Sequence, residues 1–199
     1  FIPAAERYFI MPSLDRWVIE ETLRLCHRYL AARSDTHCLF AVNLSGASLR
    51  DPAFRRMLLE CLQDNPELGP HLCFEITETA AIGNLAVVNE FIDSMRVFQC
   101  SFALDDFGSG LSSFTYLKNL KVDYLKIDGA FVRDIVSNPI DRSMVEAIHR
   151  IGHQMGLKTV AEYVESDQTL AVLREIGVDY VQGNGVHCAE PLESLCDKS

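Results

Sequence analysis

The sequence predicts an α/β fold, a TIM-like (β/α) barrel in which parallel strands alternate with helices. Six short apolar segments are separated by longer segments with helical periodicity, which indicates a parallel sheet with right-handed crossovers. Polar side chains recur at the carboxyl end of these segments, as expected where all strand ends meet at one barrel mouth. With 199 residues, 48% of them hydrophobic, the chain can bury a core of ordinary size. We expect a single domain over residues 1–199.

The first twelve residues are apolar and are expected to be irregular. A helix is expected over 13–33, where Ser13 can cap its first turn. Strands are expected at 38–44, 72–77, 101–104, 124–128, 158–162 and 179–183. The helices between them are expected from Asp51 and Pro52 onward, at 84–98, near 113–119, at 139–155 and at 167–176. Six strands are too few for a closed eight-stranded barrel, so we expect at least the first strand to lie upstream of Phe1.

The charge balance excludes some classes of partner. Lys plus Arg number 18 against 28 for Asp plus Glu, so the formal net charge is 18 − 28 = −10. Such a chain is poorly suited to gripping a nucleic-acid polymer or an anionic membrane, and an anionic ligand would need metal ions to supply positive charge. No apolar run approaches the roughly 18 residues that span a bilayer, and no signal pattern opens the sequence. We expect a cytoplasmic location, and the domain could still be tethered to a membrane protein.

The cysteines and histidines give weaker indications. Seven cysteines form an odd set without a C-x-x-C motif, which favours buried free thiols in a reducing compartment over a disulfide framework. His149 and His153 lie four residues apart on an expected helix and could share a metal ion. No third ligand is near them in sequence, so a packed or solvated helix face is favoured.

The stretch SFALDDFGSGLSSF (101–114) has the strongest local pattern. Asp105 and Asp106 are adjacent carboxylates at a strand end, which is costly unless they face water or a cation that neutralises both. Gly108 and Gly110 let the backbone approach a ligand closely, and the serines of the loop add hydroxyls. Taken alone, this pattern is more often a solvated loop or a helix cap than a functional site.

The other strands end in similar chemistry. Their polar residues are Asn43, Glu75 with Glu78, Lys126 with Asp128, Glu162, and Gln182. The oxygen ligands indicate Mg²⁺ or Mn²⁺ rather than zinc, and two aspartates with flanking carboxylates could hold two ions, as in phosphodiester hydrolysis. Lys126 would face the anion or orient the attacking water. Any one of these residues can be explained equally well as a helix cap or as a solvated strand end. Polar residues at the same end of all six strands are not explained in this way.

Six motifs together resemble the EAL domain family of cyclic di-GMP phosphodiesterases. They are NLS (43–45), FEITET (74–79), DDFGSG (105–110), LKID (125–128), AEYVE (161–165) and QG (182–183). The resemblance covers nearly the whole chain and implies an EAL-type barrel variant that uses Mg²⁺ or Mn²⁺, with two ions per site, to open cyclic di-GMP to linear pGpG in bacterial signalling.

The resemblance also implies a role for each matching residue. Asn43, Glu75, Asp105 and Asp106 are implied metal ligands, Lys126 contacts the nucleophilic water, and Glu162 is a metal ligand or general base. Gln182 and Glu165 are implied near the substrate and its metal-water shell, and Glu78 steadies loop 106–113, which couples the site to a homodimer interface. Upstream sensory or GGDEF domains are implied partners.

The sequence departs from the family pattern at several positions. The Glu-Ala-Leu motif of the first strand, whose glutamate is a metal ligand, is not in the chain, and we expect it upstream. Tyr163 stands where glycine is usual, Leu111 where an aromatic residue is common, and Asn184 where an aromatic residue often follows QG. None of the three removes a ligand, although Tyr163 could alter the pocket beside Glu162.

Two other functions remain open at this stage. A catalytically inactive EAL-type receptor would bind cyclic di-GMP without turnover, although its sequence would be expected to lose several metal positions. An unrelated barrel enzyme could use Mg²⁺ and Lys126 on a carbonyl or enolate substrate. Assays of cyclic di-GMP binding and turnover separate the three.

Overall fold

The computed structural model describes residues 1–32, 38–108 and 114–194. The chain forms two compact units, of which the first comprises Phe1–Phe102 with the segment from Glu190 and the second comprises Ala103–Ala189. None of the helices in the described ranges combines the length and apolarity needed to cross a membrane.

The first unit contains helices α1 to α6 and strands β1 and β2. In chain order they are α1 (Ile2–Arg7), α2 (Met11–Ala31), β1 (Phe40–Leu44), α3 (Gly46–Arg50), α4 (Pro52–Asp64), a 3-10 helix (Pro66–His71), β2 (Leu72–Thr77), α5 (Glu78–Gly83) and α6 (Leu85–Arg96). Strands β1 and β2 are parallel and in register from Phe40 opposite Leu72 to Leu44 opposite Ile76. The βαβ pattern expected from the sequence is therefore present in this unit.

Aromatic side chains form the centre of the first unit's core. Phe74, Phe91 and Phe102 pack with ring centroids 5.7 to 6.3 Å apart, and each is fully buried. Phe91 belongs to the apolar face of α6, which Val88, Ile92 and Met95 continue at helical spacing. Each buried phenylalanine contributes about 1.5–3 kcal/mol, so this trio fixes α6 against β2.

The second unit contains the remaining strands and helices. They are β3 (Ser101–Phe107, which begins at the end of the first unit), α7 (Phe114–Leu117), β4 (Tyr124–Ile127), α8 (Gly129–Val132), α9 (Pro139–Gln154), β5 (Lys158–Ala161), α10 (Asp167–Ile176) and β6 (Tyr180–Val181). Strand β3 pairs with β4, β4 with β5, and β5 with β6, all in parallel. Parallel pairing places the carboxyl ends of these strands at the same edge.

Several helix caps follow the local sequence. Asp51 accepts a hydrogen bond from the Ala53 N–H, Asn84 from the Val87 N–H and Ser166 from the Thr169 N–H. Asn138 caps α9 by accepting from the Ile140 N–H. Each cap satisfies an N–H that a helix start leaves without a partner, typically worth about 1 kcal/mol. The starts of these helices therefore fall within one residue of the predicted ones.

Other expectations are corrected. The segment 1–12 is not irregular, because α1 occupies Ile2–Arg7, and α2 begins at Met11 rather than after Ser13. Short helices α3, α5 and α8 follow the ends of β1, β2 and β4 and were not predicted, because four to six residues carry too little periodicity. The loop with Gly110, Leu111 and the three serines lies outside the described residues.

The described cysteines agree only in part with the prediction of buried thiols. All six of the described cysteines are free thiols. Cys26, Cys73 and Cys100 are buried, whereas Cys188 is exposed. The remaining two, Cys38 and Cys61, are partly buried.

Candidate active site

A β-bulge brings the two adjacent aspartates to one site. Leu104 lies opposite Leu125, and the next paired residues are Phe107 and Ile127, so Asp105 and Asp106 together oppose the single residue Lys126. In a regular strand, adjacent side chains point to opposite faces. Here Asp106 adopts a left-handed backbone conformation (φ +55°), which interrupts the alternation, and its N–H donates to the Asp105 Oδ1 at 3.0 Å.

Lys126 on β4 forms buried ion pairs with a residue of β3 and with the residue that follows β5. Its Nζ lies 2.9 Å from the Asp105 Oδ1 and 2.8 Å from the Glu162 Oε1. The lysine side chain is 4% exposed, and those of Asp105 and Glu162 are 11% and 12% exposed. Because an ammonium is costly to bury without anionic partners, the two carboxylates fix its position. The contact joins the ends of β3, β4 and β5.

The carboxylates of this site carry more negative charge than Lys126 neutralises. One oxygen from each of Asp105, Asp106 and Glu162 lies within 4.8 Å of the others. Three carboxylates and one ammonium give 1 − 3 = −2 when all are ionised. Burial raises the pKa of Glu162, and Asp105 and Asp106 raise it further, although Lys126 opposes them. Burial likewise raises the pKa of Asp106, with repulsion from Asp105 and Asp128 added.

This donor set fits a hard divalent cation. Three oxygen ligands within a few ångströms, short of positive charge by two units, match the preference of Mg²⁺ and Mn²⁺ for carboxylates. Burial is the main cause of the raised pKa of Asp106 and of Glu162, and repulsion from neighbouring carboxylates adds to it. A bound cation would relieve that repulsion. We refer to Asp105, Asp106, Lys126 and Glu162 as the acidic cluster.

Backbone hydrogen bonds beyond the strand ends hold the acidic cluster in place. The Asp128 N–H donates to the Phe107 carbonyl oxygen and the Glu162 N–H to the Ile127 carbonyl oxygen, both at 3.3 Å. The Asp128 carboxylate caps α8 by accepting from the Ala130 N–H at 2.6 Å. Asp128 is thus placed as a helix cap beside the cluster, where it contributes negative charge.

A cleft of about 300 Å³ lies beside Glu162. It is lined by Glu162, Tyr163, Glu165, Gln182, Gly183 and Asn184. Its two sides are joined where the Val164 N–H donates to the Gln182 carbonyl oxygen at 3.0 Å and the Gln182 N–H to the Ala161 carbonyl oxygen at 2.8 Å. Gly183 is required here, since a Cβ on it would lie 2.3 Å from the Val164 carbonyl oxygen. The sequence-predicted residues Glu165 and Gln182 therefore share this cleft with Glu162.

Tyr163 occupies a backbone conformation that favours glycine. Its φ is +55°, and its side chain is packed so closely against Gly129 that a Cβ there would lie 2.1 Å from the Tyr163 Cδ2. The Arg133 guanidinium lies 4.3 Å from the centre of the tyrosine ring. The residue is half exposed and lines the cleft, as expected for a side chain that alters the pocket beside Glu162.

The remaining predicted site residues belong to the first unit. Asn43 on β1 and Glu75 on β2 are register partners, and Glu75 is 8% exposed. Glu78 is the first residue of α5 and is 3% exposed. Its predicted role in steadying loop 106–113 concerns a loop that is largely outside the described residues.

Sequence reasoning missed a buried aspartate that supports the turn after Asn43. Asp15 on α2 accepts hydrogen bonds through Oδ2 from the Ser45 N–H at 2.9 Å and from the Ser48 hydroxyl at 2.6 Å. It is 5% exposed. The available signal was its position on the apolar face of α2, because a carboxylate buried there needs hydrogen-bond partners.

The first unit also contains a larger cleft, of about 590 Å³, that was not predicted. Its polar lining includes Glu6, Ser45, Arg50, Thr77 and Thr79. Ser45 and Thr77 cap the helices that follow β1 and β2, so the cleft lies where those two strands end.

Comparison with known proteins shows a close relationship to one family. The family model for the EAL domain matches residues 1–190. The chain is 39% identical to cyclic di-GMP phosphodiesterase PdeB of Shewanella oneidensis over 201 residues, which cover 100% of this chain and 23% of PdeB. It is 35% identical to cyclic di-GMP phosphodiesterase PdeF of Escherichia coli, covering 96% of this chain and 25% of PdeF. The chain thus spans about a quarter of the length of these curated relatives.

Solved structures confirm the predicted fold class. The PaMucR phosphodiesterase in complex with c-di-GMP superimposes with a TM-score of 0.89 at 28% identity, covering 98% of this chain and 78% of that one. The FimX EAL domain from Pseudomonas aeruginosa bound to c-di-GMP gives a TM-score of 0.81 at 30% identity, covering 94% and 74%. The α/β, TIM-like barrel architecture of EAL type is therefore the fold of this chain.

Proposed function

The chain belongs to the EAL domain family, and we propose that it hydrolyses cyclic di-GMP to linear pGpG in a divalent-metal-dependent reaction. The observation that carries the proposal is the acidic cluster, in which three carboxylates lie together at the carboxyl ends of the strands and two of them pair with a buried lysine. Relatives of 39% and 35% identity are named cyclic di-GMP phosphodiesterases, which supports the same substrate here.

Asp105, Asp106 and Glu162 are the proposed metal ligands in the second unit. When bound, Mg²⁺ or Mn²⁺ supplies Lewis acidity toward the phosphodiester and charge compensation for the cluster. The net charge of −2 on the acidic cluster would be neutralised by one divalent ion. The proposal of two ions rests on the family resemblance, with Asn43 and Glu75 as further ligands, and their shared register on β1 and β2 supports assigning them a common role.

Lys126 and Glu162 are the proposed catalytic residues. Water adds across one phosphodiester bond, so that a P–O bond breaks and one proton of the water must be accepted. Lys126 is held between two carboxylates at 2.9 and 2.8 Å, where its N–H groups can orient the water. Glu162 has a raised pKa because of its burial, which makes it a better proton acceptor than an ordinary glutamate.

Glu165 and Gln182 are proposed to contact the substrate, because they line the cleft beside Glu162. We further propose that residues 1–199 form one domain, which assembles as a homodimer coupled to the site through Glu78 and loop 106–113. Upstream sensory or GGDEF domains and a cytoplasmic location are also proposals. A relative named a bifunctional diguanylate cyclase/cyclic di-GMP phosphodiesterase, MucR, is consistent with such fusions.

The test measures product and binding separately. The chain, extended upstream to include the expected Glu-Ala-Leu strand, is incubated with cyclic di-GMP in Mn²⁺ or Mg²⁺, and pGpG is followed by chromatography. We expect pGpG in either metal and none in EDTA. Binding of cyclic di-GMP, measured by calorimetry, without formation of pGpG would instead support a catalytically inactive receptor. Absence of binding would exclude both the phosphodiesterase and the receptor.

A further inference from the structure

The second unit contains another cluster of metal-ligating side chains, away from the acidic cluster. It consists of His149 and His153 on α9 and Asp179 immediately before β6, and one ligand atom of each lies within 4.8 Å of the others. The sequence indicated only the histidine pair, because Asp179 is 26 residues beyond His153. The fold thus supplies the third ligand that the sequence pattern lacked.

The three side chains are held in position by hydrogen bonds. His153 Nε2 lies 2.7 Å from the Asp179 Oδ2, and the same oxygen accepts from the Thr159 N–H at 2.9 Å. His149 Nδ1 lies 2.8 Å from the Thr159 hydroxyl. The two imidazole rings are 4.1 Å apart. The Thr159 contacts hold His149 and Asp179 from outside the cluster, as hydrogen bonds do around protein metal sites. The hydrogen bond between His153 and Asp179 joins two of the three side chains, and a bound ion would replace it.

The charges of the cluster suit a cation with nitrogen ligands. Burial lowers the pKa of His149, and His153 lowers it further, although Asp179 opposes them; the net direction favours the neutral imidazole that binds metal. Although partial burial opposes it, hydrogen bonds from Thr159, His153 and Lys158 lower the pKa of Asp179, so the carboxylate stays ionised.

Lys158 is the competitor for this carboxylate. Its Nζ lies 2.9 Å from the Asp179 Oδ1, but its side chain is 58% exposed, so it can turn toward water when a cation binds. His153 is 42% exposed, which gives an ion access from solvent and leaves a coordination position for water.

We propose that His149, His153 and Asp179 form a binding site for a transition-metal ion of the Zn²⁺ or Co²⁺ type. Two imidazoles and one carboxylate are ligands that zinc and its neighbours prefer over Mg²⁺. Thr159 and Lys158 lie at the amino end of β5, whereas Glu162 follows its carboxyl end, so this site is separate from the acidic cluster. A bound ion would fasten α9 to the starts of β5 and β6 and stabilise the second unit.

The probe is Co²⁺, titrated into the tag-free chain in excess Mg²⁺, which competes for the oxygen ligands of the acidic cluster. We expect visible absorption bands of nitrogen-coordinated Co²⁺ that saturate at one ion per chain. His153→Gln can still hydrogen-bond Asp179, so its fold is preserved. Because the variant loses a direct ligand, its affinity for Co²⁺ should fall by more than the roughly 10–100-fold that loss of an outer-shell partner costs. A second readout is the melting temperature, which Zn²⁺ should raise in the parent chain and leave unchanged in this variant.

The controls separate this site from other metal-binding groups. His27→Ala removes an exposed histidine 3.9 Å from Glu67 and should leave Co²⁺ binding unchanged, as should Asp105→Asn in the acidic cluster. Equal Co²⁺ affinity in the parent chain and His153→Gln overturns the proposal. Loss of the absorption bands in His187→Ala, which removes an exposed histidine next to Cys188, overturns it as well. Absence of any histidine-dependent absorption does the same.

Discussion

Replacing Lys126 with methionine tests how far the acidic cluster depends on its buried ammonium. Lys126→Met keeps an unbranched side chain of similar length but removes the positive charge that lies 2.9 Å from Asp105 and 2.8 Å from Glu162. Breaking a buried ion pair by removing one partner costs about 3–5 kcal/mol. We expect the lower end, about 3 kcal/mol, because both carboxylates keep some exposure, 11% and 12%.

The assay is thermal unfolding followed by circular dichroism in EDTA and in saturating Mg²⁺. For a chain of this size, 1 kcal/mol corresponds to roughly 2–4 °C, so the melting temperature in EDTA should fall by roughly 6–12 °C. Mg²⁺ should reduce the difference, since a divalent ion replaces the missing positive charge.

Lys158→Met is the matched control. Lys158 also lies 2.9 Å from a carboxylate, that of Asp179, but its side chain is 58% exposed against 4% for Lys126. Its removal should leave the melting temperature unchanged within error, because solvent screens an exposed pair. Equal losses in the two variants would refute the reasoning that burial, rather than distance, makes the Lys126 contacts strong.

Three further predictions concern the metal, the thiols and the cleft. Ca²⁺ should support binding of cyclic di-GMP but not its hydrolysis, because its longer and looser coordination fits poorly in a site for Mg²⁺; full turnover in Ca²⁺ alone would contradict the assignment. Burial raises the pKa of Cys26 to about 11 and of Cys100 to about 12, so at pH 8 iodoacetamide should modify Cys188 and spare these two, as mass spectrometry would detect. Unfolding frees these thiols to ionise near pH 8.5, so their contribution to stability is intact below that pH and is lost as pH rises toward 11 to 12. Tyr163→Gly relieves a left-handed conformation but loses the contact with Arg133, so the free energy of unfolding in urea should change by less than about 1 kcal/mol; a loss above about 2 kcal/mol would show that the tyrosine is structurally required.

The regular elements of the second unit could be predicted because their sequence patterns are local. Helix α10 begins at Asp167 and ends at Ile176 as expected, since Ser166 caps it and Gly177 ends it in a left-handed conformation. Strand β3 was predicted to end at residue 104 but continues to Phe107. The bulge at Asp105 and Asp106 depends on pairing with β4, which a pattern of alternating residues cannot reveal.

The residue types of the candidate site could be predicted, but their contacts could not. Carboxylates at strand ends indicated oxygen ligands, and Lys126 was expected to face the anion or to orient the attacking water. Its ion pairs with Asp105 and Glu162 join residues on three strands, which only the fold brings together. Similarly, the backbone at Tyr163 is left-handed, which explains physically why glycine is usual at this position in the family. The sequence alone could not supply this reason.

The most direct test of the account compares pGpG formation by the parent chain and by Asp105→Asn, both extended upstream as described above, in saturating Mn²⁺. Asn removes one negative charge from the proposed ligands but preserves the size of the side chain. If metal binding at the acidic cluster supports the reaction, the rate should fall about 100-fold or more, the equivalent of about 3 kcal/mol. Circular dichroism checks that both proteins are folded. Equal rates of pGpG formation in the two proteins would contradict the claim that Asp105 holds the catalytic metal.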